Sequence, residues 1–125
     1  MIRLKKPYFI WSISIEENAV LENYISGFIE SVANRKYAPI SLSHTLNSKG
    51  NWSVEVLFER KDTEETYEYL VSSLYAEKSS KLEDKANEFI LKKAKEDYIP
   101  ISISHSNTGK KPNYYSSVIL LKKSK

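Results

Sequence analysis

The octapeptide Tyr37-Ala38-Pro39-Ile40-Ser41-Leu42-Ser43-His44 returns 61 residues later as Tyr98-Ile99-Pro100-Ile101-Ser102-Ile103-Ser104-His105. Carried backwards without a gap, residues 8–48 fall on 69–109 with 14 identities in 41 positions. Ordinary composition would give roughly two or three. A fixed period constrains a chain more than any local preference, because each copy must build the same supersecondary unit. A unit of about 60 residues would be marginally stable on its own. The copies are therefore expected to share one core, as a single domain over residues 1–125 with repeats at about 8–61 and 67–125.

Within the first repeat, Tyr8 to Ile15 alternates, which sets Phe9, Trp11, Ile13 and Ile15 on one face of a strand. Asn18 is placed to cap the helix that follows. Leu21, Tyr24, Ile25, Phe28, Ile29 and Val32 recur at helical spacing and form its apolar stripe. Pro39 ends the helical region. The octapeptide then reads as a strand with Ile40, Leu42 and His44 in phase, and Asn47 to Asn51 as a turn. Trp52 to Glu59 is its hairpin partner, with Val54, Val56 and Phe58 turned to the core. The second repeat follows the same order. Ser80 and Glu83 have capping-box spacing, Leu82, Ala86, Phe89, Ile90 and Ala94 form the stripe, and Tyr114 to Leu121 is the last strand before a frayed basic tail.

The order βαββ, twice, predicts an α+β fold: a six-stranded, mainly antiparallel sheet with both helices on one face and a pseudo-twofold axis. The opposite face then collects Tyr8, Ile10, Ser12, Ser14, Ser41, Ser43, Glu55 and Leu57 from the first repeat. The second contributes Tyr69, Val71, Ser73, Tyr75, Ser102, Ser104, Tyr115, Ser117 and Ile119. Within it Ile10, Leu57, Val71 and Ile119 make an apolar patch of the kind that marks an interface.

A helix followed by a strand ending in Ser, a polar loop and the strand Tyr115-Ser116-Ser117-Val118-Ile119-Leu120-Leu121 resembles the short βαββ sporulation-associated proteins of Gram-positive bacteria. The resemblance covers about half of each repeat. It implies the βαββ unit and carries over no activity and no functional residue. The duplication and both histidines depart from that pattern. The abundance of Lys, Asn, Ile, Tyr and Ser suits a bacterial or phage coding sequence.

Chemistry is sparse. The absence of cysteine excludes a thiol nucleophile, a thiolate metal site and disulfides. With 19 basic and 16 acidic residues the net charge is +3, short of the clustered positive charge that phosphate binding needs. The N-terminal residues lack a signal-peptide pattern, and no stretch approaches the roughly 20 apolar residues of a membrane span. The expectation is a cytoplasmic protein that does not act on membranes. Its three glycines form no phosphate-cradling loop and its serines stand on no Gly-x-Ser-x-Gly elbow. His44 and His105, the only histidines, occupy equivalent positions, so a symmetric site would use both. The plainer reading has each ring packed at a strand end. No His or Cys ligand spacing supports a metal, and no cofactor is implied.

These features point to a small non-enzymatic binding protein. It would self-associate into a homo-oligomer, or grip a protein partner or a small polar ligand, through the open sheet face. His44, His105, Ser43, Ser104, Tyr8, Tyr69, Tyr75 and Tyr115 are the candidate ligand-binding residues. One alternative is nucleic-acid binding, with the sheet tyrosines stacking on bases and Lys49, Lys110 and Lys111, together with Lys5, Lys6 and the tail, contacting phosphates. A second is an enzyme that depends on the two histidines.

Overall fold

A computed structural model describes residues 7–16, 20–33, 36–47, 49–62, 66–109 and 114–125. Lys5, Lys6, Asn18, Lys110 and Lys111 lie outside the described residues. The chain runs β1 (Tyr8–Glu16), α1 (Leu21–Ala33), β2 (Tyr37–Leu46), β3 (Asn51–Arg60), β4 (Tyr67–Ala76), α2 (Ser79–Ala94), β5 (Ile99–Asn107) and β6 (Tyr115–Ser124). The α+β class and the doubled βαββ order are thus as expected.

The duplication reaches the backbone. Lys36 (φ 68°) and Asp97 (φ 70°), 61 residues apart, both take the left-handed conformation after their helices. The strand pairing slips between Pro39 and Ser41 in one repeat and between Pro100 and Ser102 in the other. That bulge corrects one expectation. Ile40 does not share a face with Leu42 and His44 but is exposed, because the extra residue shifts the phase by one. The capping box does not form either. Leu82 N–H already bonds Lys78 C=O (3.0 Å), and the helix starts at Ser79, so Ser80 lies inside its first turn.

The six strands divide into two three-stranded antiparallel sheets, ordered β1-β3-β2 and β4-β6-β5, rather than one continuous sheet. The reason lies at the outer edge of β2. Its free amides meet side chains of β5 instead of a neighbouring backbone: Leu42 N–H donates to Ser102 Oγ (3.1 Å) and His44 N–H to Ser104 Oγ (3.0 Å). Hydroxyl acceptors satisfy the edge as a strand would, without extending the sheet.

One core cluster takes α1 (Leu21, Ile25, Ile29, Val32), the inner face of the first sheet (Leu42, Trp52, Val54, Val56, Phe58) and, from the second sheet, Val71, Val118 and Leu120. An aromatic row strengthens it, with Phe9 stacked on Phe58 (4.9 Å) and Trp11 on Phe28 (4.0 Å). A second cluster sets Ile119 and Leu121 with Ala86 of α2. The helices therefore do not share a face. α2 covers one side of the second sheet, and the first repeat covers the other. This corrects the expected outward surface in repeat two, where Val71, Ser104, Ser117 and Ile119 are buried and Tyr69 and Tyr75 pack against the core.

The frayed tail is corrected as well. β6 continues through Ser124, and Lys122 and Lys123 lie over the rings of Tyr67 (4.3 Å) and Tyr98 (4.9 Å). Among the described residues, no helix is long and apolar enough to cross a membrane.

Candidate functional site

The outer face of the first sheet stays open. Alternation places Tyr8, Ile10, Ser12, Ser14 and Glu16 of β1 on it, with Ser53, Glu55, Leu57 and Glu59 of β3 and Ser41, Ser43 and Thr45 of β2. Ile10 is 63% exposed and Tyr8 51%. Cross-strand pairing sets Ile10 beside Leu57 and Leu57 beside Ser41, and sets Glu55 between Ser12 and Ser43. Ser12 Oγ reaches Glu55 Oε2 at 3.4 Å. Between them lies a shallow hollow of about 170 Å³ lined by Ile10, Ser41, Ser43, Glu55 and Leu57. Small-molecule sites usually enclose about 300–1,000 Å³. This hollow suits one side chain of a larger partner better than a whole ligand.

The charge of this face opposes that of the chain. Glu16, Glu55 and Glu59 point outward, and no lysine or arginine of β1, β2 or β3 shares their side. The Tyr8 phenol hydrogen-bonds the Glu59 carboxylate, whose charge also helps to hold the phenol above its usual range.

The two histidines do not form one site. His44 is 1% exposed, on the inner face beside Trp52 (ring centroids 5.1 Å). His105 is exposed and pairs with Ser117. Ser104 Oγ accepts the His44 backbone N–H and lies 2.7 Å from Nδ1, and Ser116 Oγ lies 3.0 Å from Nε2. The arrangement is satisfied when Ser104 O–H donates to Nδ1 and Nε2–H donates to Ser116. Ser116 in turn hydrogen-bonds the Tyr75 phenol, which burial holds above its usual range. Burial, and secondarily the charge of His105, lowers the His44 pKa to about 4. The ring is thus a neutral, enclosed tie between the repeats, buried away from any substrate.

The remaining candidates scatter. Tyr69 and Tyr75 are half-buried against the core, Tyr115 is half-buried opposite Ala76, Lys49 is exposed in the β2–β3 turn, and of the two candidate serines Ser43 joins Tyr8 on the open face while Ser104 is buried. The base-stacking set of the nucleic-acid alternative is therefore not presented together. Among the described residues no group of three or more His, Asp or Glu stands close enough to hold a metal ion. Ser116 escaped the sequence reading because a serine inside an apolar strand carries no mark of its partner.

No family model, curated protein or solved structure matches the chain. Function must be read from the geometry.

The non-equivalence of the motif serines is testable. Ser104→Ala strands the His44 amide and Nδ1 in a buried setting and is expected to cost about 1–3 kcal/mol. Ser43→Ala, at the equivalent exposed position, should change stability by less than about 0.5 kcal/mol. Paired urea titrations of the two variants check this.

Proposed function

We propose that this chain is a non-catalytic binding protein that holds another protein on the open face of its first sheet. The observation that carries this reading is the exposed Ile10 beside Leu57, at the rim of a hollow too small for a whole ligand. An apolar centre ringed by hydroxyls suits a protein interface. Symmetric self-association fits this face less well. A twofold axis passing at Glu55 would set that residue against its own copy, and like charges in contact are costly.

Random dodecamer peptides selected against the immobilised chain test the reading. Amide NMR shifts caused by the tightest binders are expected on β1, β2 and β3 around Ile10, and Ile10→Asp should abolish their binding. Ile10 is exposed, so that substitution should cost only about 1 kcal/mol, through lost strand preference and the lost pairing with Leu57, and circular dichroism should show the fold intact. Shifts confined to α2 and β5, with binding unchanged by Ile10→Asp, would overturn the proposal.

A further inference from the structure

We infer that the hollow selects a lysine or arginine side chain of the partner, an inference that rests on the reading of this face as a protein-binding surface. The lining combines two chemistries in one small space. Ile10 and Leu57 offer apolar contact for an aliphatic stem, and Glu55 offers a carboxylate, with the Ser41 and Ser43 hydroxyls as further acceptors. A long cationic side chain is the natural amino-acid group that matches both, since it lays its methylenes on apolar surface and keeps its charged head at a polar rim. A neutral apolar side chain would leave Glu55 without a counter-charge. An acidic one would meet Glu55 directly.

The wider face reinforces the choice. Glu16 and Glu59 stand on the same side, which no lysine or arginine within β1, β2 or β3 shares. In a chain of net charge +3 this is a local reversal of sign. It favours a partner segment that is basic around its apolar contact, and it disfavours both nucleic acid and a second copy of the chain.

The same peptide selection separates this inference from the one it rests on. Binders that require Ile10 are expected to be enriched in Lys or Arg next to an apolar residue. Replacing that Lys by norleucine, or Glu55 by Gln in the protein, should each weaken binding about fivefold, and the two changes together should do little more than either alone. Ile10-dependent binders with no basic enrichment and no response to Glu55→Gln would overturn the lysine or arginine assignment while leaving the face as the interface. If no selected binder depends on Ile10, both readings fall.

Discussion

Replacing His44 with alanine is expected to cost the fold about 4 kcal/mol, through the cavity left beside Trp52 and through the Ser104 and Ser116 hydroxyls left buried without the ring. The imidazole also ties stability to pH. Its pKa falls to about 4 in the folded protein, chiefly through burial, from the ordinary value of 6.5. Between these values the unfolded chain binds a proton that the folded one refuses. Its contribution is therefore complete above the ordinary value and is lost as the pH drops towards 4, by about 3 kcal/mol in all. The charge of His105 acts in the same direction, as a smaller contribution than burial. Urea titrations at pH 7 and pH 4.5 on the wild type and His44→Gln isolate the term, since the carboxylates and His105 are common to both. The wild type should lose markedly more stability on acidification than the glutamine variant. Equal losses would mean that the ring is not held neutral.

Leu120→Ala is expected to remove about 3 kcal/mol and to do so for both repeats at once. Leu120 is fully buried in the cluster that joins α1 and the first sheet to Val71 and Val118 of the second. Both tryptophans, Trp11 and Trp52, lie in the first repeat, so their fluorescence reports on that half alone. If one core serves both copies, a cavity made in the second repeat shifts the tryptophan transition of the first, together with the far-ultraviolet circular dichroism. A tryptophan midpoint unchanged by Leu120→Ala would show that the repeats unfold independently.

The open face and the inner tie illustrate how the same motif comes to do different work. Ser41 and Ser43 look into solvent, while their copies Ser102 and Ser104 close the edge of β2. Nothing in the octapeptide distinguishes them, because the difference arises from what lies opposite. One sign was present in the chain. Val118-Ile119-Leu120-Leu121 is an unbroken apolar run, the mark of a strand buried on both faces, whereas β3 alternates as a strand open on one side does. Read with that weight, the run separates the covered sheet from the open one and removes Val71 and Ile119 from the supposed surface patch.

The sequence alone determined the duplicated βαββ unit, its helices, its hairpins and most of its core, because periodicity and turn chemistry act between residues close along the chain. It also placed Ile10, Leu57 and Glu55 on one strand face, since alternation is a local rule. The tertiary structure decided how the copies meet: two sheets instead of one, α2 and the first repeat on opposite sides of the second sheet, and one histidine enclosed while its copy stays outside. Those outcomes depend on which surfaces bury each other between residues 60 or more positions apart. The two near-identical segments meet at one joint with different faces: β2 turns Leu42 and His44 inward, and β5 turns the hydroxyls of Ser102 and Ser104 to the edge of β2.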